Sequence, residues 1–191
     1  MGSIRRGNRF KVEHLNQRSK DMEILKVAID WAKAEVFSST FFILFGGMFL
    51  LATLGFWQLG KTEIARAFVF PTLVAGILLL AVGFGLFFTN KARVANFTDA
   101  YNKDASAFVK SELIRAEKTM KEYQTIVFKV IPIIIIAAAL LIIFIDQPIW
   151  RAISITTIAL MVVISLIDHN ANARIENYNE QLLLVDKDLN N

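Results

Sequence analysis

The chain has 191 residues, of which 55% are hydrophobic and 20% charged, with a formal net charge of +4 and no cysteine. Soluble domains average about 45–50% apolar and about 25% charged residues. Here the apolar residues are gathered into four blocks instead of recurring with the period of an amphipathic helix or strand. These features argue strongly against a soluble enzyme, a disulfide scaffold and a disordered tail.

Four almost uncharged segments predict four membrane-spanning helices. They cover residues 36–58, 67–90, 126–145 and 149–167. A bilayer core about 30 Å thick requires about 20 apolar residues in a helix, and the first three segments supply them. The fourth is shorter, but Arg151 near its start can reach the interface with its long side chain. The sequence therefore predicts an all-α, polytopic membrane protein. The alternative, a soluble bundle, is disfavoured because these segments have no polar face.

The distribution of basic residues predicts the orientation. Eight Lys and Arg residues precede the first segment, eight lie in residues 91–129 and two follow the last segment, whereas the two connecting loops hold three. Basic residues concentrate on the cytoplasmic side of membrane proteins. We therefore expect a multi-pass protein of a cell membrane with both termini cytoplasmic, and Trp57 and Trp150 at the outer interface.

The chain contains an internal similarity that predicts a tandem repeat of residues 1–101 and 102–191. Its clearest element is ARVANF, starting at Ala92, which matches ARIENY, starting at Ala173. The shared polar positions of this motif are Arg93 with Arg174 and Asn96 with Asn177. Each unit reads as a cytoplasmic helix, a span, a short outer loop, a second span and a cytoplasmic helix. The two units would be parallel hairpins, and chance similarity between apolar segments is the alternative.

The segments that flank the spans carry narrow apolar stripes at helical spacing, which predict that the helices continue into a cytoplasmic bundle. A turn is expected at residues 102–104, and helices lying flat on the membrane are the alternative. The acidic tail is expected to dock on the basic N-terminal helix, with apolar contact carried by Met22, Leu25 and Ile29 against Ile175, Tyr178 and Leu182.

The sequence offers little catalytic chemistry. Its two histidines, His14 and His169, lie far apart, and it has neither a glycine-rich phosphate loop nor a nucleophile elbow. We therefore expect no enzyme activity, cofactor or metal site. Basic residues alternate with acidic ones and flank the spans, so membrane lipid is favoured over nucleic acid as a partner. Anionic lipid is expected at the N-terminal basic segment, which holds Arg5, Arg6, Arg9 and Lys11.

Two sets of small residues mark candidate contacts within the spans. Gly76 and Gly85 each end a small-xxx-small pair and are predicted to pack against another helix. The fourth span carries more hydroxyl groups than its own carbonyls require, and Ser154, Thr157 and Ser165 are the candidates for a pore lining or a protein interface.

These observations favour a non-enzymatic membrane protein that acts by contact with an unknown protein partner in a bacterial-type cytoplasmic membrane. Small four-span immunity proteins against pore-forming toxins have this size and topology, but the chain shares no motif with them. The alternative is a homo-oligomeric channel or pore-forming effector lined by the fourth span. A transporter or membrane enzyme is disfavoured because the middle of every span lacks ionisable groups.

Overall fold

The computed structural model describes the backbone of residues 3–189 and the side chains of residues 22–187. No strand occurs between residues 3 and 189, and the chain there is helical apart from short connections. The elements are α1 (Ser3–Leu59), α2 (Glu63–Ala67), α3 (Val69–Lys103), α4 (Ala105–Thr125), a π segment (Ile126–Val130), α5 (Ile131–Phe144) and α6 (Pro148–Leu189).

Within the described part of the chain, four helices are long and apolar enough to cross a membrane. Their bounds are Met22–Leu59, Glu63–Lys103, Ala105–Phe144 and Pro148–Lys187. The four uncharged segments of the sequence fall inside these helices, except that Ile145 lies just past the end of the third. Large apolar side chains stay exposed on all four, including Leu51, Phe70, Ile143 and Leu166, which suits a surface in contact with lipid.

Three of the helices extend well beyond a bilayer core because no breaker interrupts them. α1 has 57 residues, which corresponds to about 85 Å at 1.5 Å per residue. The start of α1, the turn at Asp104 and the end of α6 lie at one end of the molecule, which we call the terminal end. The connections at residues 60–62 and 145–147 lie at the opposite end, which we call the loop end.

Short polar contacts fix the connections. At the terminal end, Asp104 caps α4 by accepting a hydrogen bond from the Ala107 N–H at 2.9 Å, so the turn lies where the sequence predicts it. At the loop end, Thr62 caps α2 by accepting from the Ala65 N–H at 3.2 Å. Asp146 pairs with Arg151 at 2.6 Å across the second connection.

A π segment joins α4 to α5 directly before Pro132. Across it, the Ile131 N–H donates to the Ile126 carbonyl five residues earlier. In an α-helix a proline ring clashes with the carbonyl four residues before it. The wider π turn relieves that clash without breaking the helix, and residues 126 and 127 remain available to line the space beside α3.

α1 packs along α3 through three glycines, Gly46, Gly76 and Gly83. We call this contact the glycine seam. A Cβ added at Gly76 would lie 2.8 Å from Leu50 Cδ2 and 3.1 Å from the Gly46 carbonyl oxygen. One added at Gly83 would lie 2.9 Å from the Ile43 backbone nitrogen. The absence of side chains at these positions therefore brings the two backbones together.

Gly85 does not belong to this contact, in contrast to the expectation from its small-xxx-small pair. A Cβ added there would meet no atom within 4 Å. Each residue turns an α-helix by about 100°, so Gly85 is rotated by about 200° from Gly83 and faces away from α1. Gly83, seven residues after Gly76, takes the second packing position instead.

Two threonines add a polar contact to the same interface. The Oγ1 atoms of Thr53 on α1 and Thr72 on α3 lie 2.9 Å apart, and both residues are buried. Each hydroxyl also lies within hydrogen-bonding distance of the carbonyl one turn earlier in its own helix. The pair therefore links the helices without leaving a polar group unsatisfied in an apolar region.

Beyond the uncharged segments, all four long helices contribute to one apolar core at the terminal end. We call this region, which comprises residues 22–35, 91–125 and 168–187, the terminal bundle. Its buried members are Ile24, Ala28, Trp31, Ala32, Phe97, Tyr101, Phe108, Val109, Leu113, Ala116, Ile175, Tyr178 and Leu182. The tail therefore packs against α1 through the three tail residues that the sequence predicts.

The face of α1 in this contact agrees with the predicted one only in part. Leu25 and Ile29 are partly buried and pack against the cluster as predicted, whereas Met22 is 68% exposed. The fully buried contacts of α1 come from Ile24, Ala28 and Trp31, which lie on a neighbouring face of the same apolar stripe.

Candidate functional site

A cleft of about 620 Å³ lies between α3 on one side and α4 with the π segment on the other. α1 and α6 close its inner side. Its walls at the level of the uncharged segments are apolar and include Leu78, Val82, Leu86, Leu160, Met161 and Ile164. Its terminal end is polar and carries Glu35, Asn90, Arg93, Arg115, Glu122 and Asp168. The cleft therefore combines an apolar trough with a charged end.

The cleft exists because α3 packs along α1 but not along α5, which packs against α6. Leu78, Val82 and Leu86 lie on successive turns of α3 and remain 51%, 47% and 41% exposed. The trough is therefore open sideways, toward the surroundings of the spans.

A buried ion pair forms one wall of the charged end. Arg115 pairs with Glu112 one turn earlier, and its Nε donates to Glu112 Oε1 at 3.0 Å. The Tyr178 hydroxyl donates to Glu112 Oε2 at 2.8 Å. Burial and the neighbouring Glu112 carboxylate raise the pKa of the Tyr178 phenol, so it stays protonated and keeps donating. Glu112 thus joins α4 to α6.

The Trp31 ring packs against both Tyr178 and the arginine of this ion pair, Arg115. Its ring stacks on Tyr178 with centroids 5.1 Å apart and an interplanar angle of 7°. The Arg115 guanidinium carbon lies 4.2 Å from the Trp31 ring centroid, and that of Arg93 lies 5.9 Å away. One indole ring therefore orients two guanidinium groups by cation–π contact.

A second ion pair joins the first and last helices. Arg174 Nε donates to Glu35 Oε1 at 3.0 Å, and Arg174 Nη2 lies 2.9 Å from the same oxygen. The two residues are 139 positions apart in the chain. The sign of this contact is opposite to the expected one, because here a base of the tail pairs with an acid of α1.

Two charged residues of the cleft form no direct ion pair. Arg93 Nη1 donates to Asn90 Oδ1 at 2.6 Å, and its charge interacts with the Glu112 and Glu35 carboxylates only at longer range, because no carboxylate among residues 22–187 forms an ion pair with it. Asp168 has neither an ion pair nor a hydrogen bond from a side chain in that range, and burial together with the nearby Glu35 carboxylate raises its pKa to about 6. The cleft therefore presents one basic and one acidic side chain that lack a direct charge partner.

The residues of the predicted repeat motif divide between this site and the surface. Arg93 and Arg174 reach the charged end, whereas Asn96 and Asn177 are exposed and Asn177 accepts a hydrogen bond from Gln181. Sequence reasoning missed Trp31, Glu35, Glu112 and Arg115. The position of Glu35 in the sequence could have revealed it. Glu35 directly precedes the first uncharged segment, so it lies on the same side of the membrane as the arginines that follow the even-numbered spans.

The hydroxyls of the fourth span lie mostly inside the molecule. Ser154 is 1% exposed, Thr156 is also buried, and neither hydroxyl has a hydrogen-bond partner among the described residues. Thr157 and Thr156 line a second cavity of about 260 Å³ between α3 and α6. Ser165 is half-buried. A pore lined by Ser154 would require α6 to turn away from its present contacts.

The site presents charged groups that can bind an ionic ligand. Among the described residues, no group of three or more His, Asp or Glu side chains is placed to hold a metal ion. The basic positions 5, 6, 9 and 11, predicted to bind anionic lipid, lie outside the described side chains.

Comparison of the chain with protein-family models, curated proteins and solved structures gave no match.

Proposed function

We propose that this chain is a non-enzymatic integral membrane protein that acts by binding a partner protein through its terminal bundle, in the manner of an accessory or immunity protein. One observation carries this proposal. All four long helices leave the apolar region at the same end and form a packed bundle there, whereas the loop end has only short connections. A partner outside the membrane therefore finds an extended, structured surface only at the terminal end.

The proposed membrane is a bacterial-type cytoplasmic membrane with both termini in the cytoplasm. The terminal side carries 18 of the 21 Lys and Arg residues, which supports this orientation by the positive-inside tendency. Trp57 and Trp150, 68% and 42% exposed, lie near the loop end, where tryptophans favour the membrane interface.

The orientation is tested with single cysteines, which the cysteine-free chain accepts without background. Lys61, Gln147 and Asn102 are all exposed in the structure. We expect cysteines at positions 61 and 147 to react with an impermeant thiol reagent in intact cells, and a cysteine at position 102 to react only after lysis. The reverse labelling pattern would contradict the orientation.

The partner is tested with a photo-crosslinking amino acid placed in living cells at Ile114, which is 70% exposed on α4 of the terminal bundle. The matched control position is Ile64, which is 53% exposed at the loop end. We expect position 114 to form a discrete adduct with a second protein and position 64 to form none. Adducts at neither position, or only between copies of this chain, would contradict the proposal.

The channel alternative predicts a different stoichiometry. Burial of Ser154 inside one chain supports the interaction protein over a pore lined by the fourth span. Native mass spectrometry of the detergent-purified protein is expected to give no closed ring of copies. A ring of four or more would favour the channel and contradict the proposal.

We also propose that the chain arose by tandem duplication of a two-span unit, with residues 1–101 matching 102–191. Corresponding residues of the ARVANF and ARIENY motifs occupy corresponding environments, which supports this origin. Phe97 and Tyr178 are both buried in the terminal bundle. Arg93 and Arg174 both reach the charged end of the cleft region, and Asn96 and Asn177 are both exposed.

A further inference from the structure

The cleft has the dimensions of one lipid leaflet. From Leu78 to Asn90, its α3 wall covers 12 residue steps, or about 18 Å at 1.5 Å per residue. Half of a hydrocarbon core about 30 Å thick is about 15 Å. The apolar trough thus lies at the depth of acyl chains, and its charged end lies at the depth of headgroups.

Its volume and opening suit an acyl chain. The cleft of about 620 Å³ falls within the range of about 300–1,000 Å³ that is typical of small-molecule sites. The half-exposed side chains of Leu78, Val82 and Leu86 form its edge, so a lipid in the surrounding bilayer could enter sideways without crossing a polar barrier.

The charged end selects the headgroup. Of the residues there, Glu35 pairs with Arg174 and Arg115 pairs with Glu112. Arg93 and Asp168, one basic and one acidic, are the two that have no direct ion-pair partner among residues 22–187. Glu122 is exposed and lies 3.9 Å from Lys118, so it is already loosely paired with a base. A ligand that carries both a phosphate and an amine would satisfy Arg93 and Asp168 together.

We propose that the cleft is a binding site for an amine-bearing zwitterionic phospholipid, with its phosphate on Arg93, its ammonium group on Asp168 and an acyl chain in the trough along α3. The Trp31 ring, which also contacts the Arg115 guanidinium, orients Arg93 at the phosphate. The site goes beyond the proposed function and rests only on the four spans lying in a bilayer, whichever way they are oriented.

The test uses the full chain purified in detergent, with native mass spectrometry and thermal stability measured after addition of phosphatidylethanolamine, phosphatidylcholine or phosphatidylglycerol. The three lipids share the phosphate and acyl chains, but only the first carries a primary ammonium group that can donate hydrogen bonds. We expect phosphatidylethanolamine to bind most tightly and to stabilise most.

Two substitutions separate the two ends of the headgroup. Arg93→Gln is expected to weaken binding of all three lipids by about tenfold or more, because it removes a charge-assisted hydrogen bond to phosphate. Asp168→Asn is expected to abolish the preference for phosphatidylethanolamine and to leave the binding of the other two lipids unchanged. Lys91→Gln is the matched control, since Lys91 is exposed near Arg93 and does not line the cleft.

A third substitution tests the trough independently of charge. Val82→Trp is expected to fill it and to prevent binding, whereas Phe84→Trp, at an exposed position outside the cleft on the same helix, is expected to bind normally. Equal stabilisation by all three lipids in wild type and Val82→Trp would show general solvation by lipid and would overturn the proposal. Tighter binding of phosphatidylglycerol, insensitive to Asp168→Asn, would overturn it as well.

Discussion

α3 presents two contrasting faces at the same depth. Toward α1, Gly76 and Gly83 admit the neighbouring backbone so closely that an added Cβ would be 2.8 Å from a side-chain atom. Toward α4 and the π segment, Leu78, Val82 and Leu86 meet no helix that covers them and border the cleft. One helix thus forms a close backbone contact on one side and borders an open cleft on the other.

The difference shows how packing is controlled when lipid surrounds the helices. Lipid chains are as apolar as leucine, so burying leucine between helices gains little, and close approach through small residues supplies the attraction. A face of branched side chains can therefore remain open beside a face of glycines. The terminal bundle and its ion pairs join the helices at one end of this open face.

The largest loss of stability is expected in the terminal bundle, which joins the helices on the open side of α3. Glu112→Ala would leave Arg115 and the Tyr178 hydroxyl without their partner in a buried site. Breaking a buried ion pair costs about 3–5 kcal/mol, and we expect a loss of that order in the free energy of unfolding. Chemical unfolding in detergent, followed by tryptophan fluorescence, measures it.

The control for this prediction is Glu117→Ala on the exposed side of the same helix, where surface substitutions change stability by about 0.5 kcal/mol or less. Equal losses for the two variants would show that Glu112 does not hold the bundle together.

A smaller effect is expected at the glycine seam. Gly83→Leu would force α1 and α3 apart, because Ile43 and Phe42 already occupy the space of a Cβ. Overpacking costs about 1–3 kcal/mol, and the thermal transition in detergent is expected to fall accordingly. Gly85→Leu, two residues away and facing open space, is expected to have little effect. If both variants lose the same stability, α3 does not present the face described here to α1.

The smallest effect is expected for the hydroxyl pair of the seam. Thr53→Val removes one partner of the contact with Thr72 while keeping the shape of the side chain. Interhelical hydrogen bonds in membranes are worth about 0.6 kcal/mol on average. A double-mutant cycle with Thr72→Val should give a coupling energy of that size, whereas Thr40→Val, whose hydroxyl bonds only to its own helix, should not couple to Thr72→Val. A coupling energy of zero between positions 53 and 72 would show that the two hydroxyls do not contribute to the contact between α1 and α3.

Much of the architecture could be predicted because charge is excluded from hydrocarbon. The four uncharged segments place the apolar stretches of all four long helices, and the turn at Asp104 follows from local capping chemistry. Helical phase was harder to predict. The sequence offers both Gly83 and Gly85 for packing, and both Met22 and Ile24 for the bundle, and only the position of the neighbouring helix decides between them.

The charged site was largely invisible in the sequence because its members come from four separate segments. Glu35 and Arg174 are 139 residues apart, and Glu112 resembles any other acid on a helix between spans. The repeat motif did point to Arg93 and Arg174, since both lie in the matching segments that follow the even-numbered spans. Their partners depend on how the four helices are arranged around one another, which periodicity along a single helix does not encode.

The π segment has a consequence for the gene that encodes the chain. Deleting a single codon within residues 126–130 would remove the extra residue of the wide turn and convert it into an ordinary α-turn, so α5 would keep nearly the same face toward its neighbours. In a regular stretch of helix, the same deletion would rotate everything beyond it by about 100°. Here the cost comes from Pro132, which would return to a position where its ring meets the carbonyl four residues earlier. This stretch of the reading frame is therefore expected to tolerate substitutions far better than changes in length.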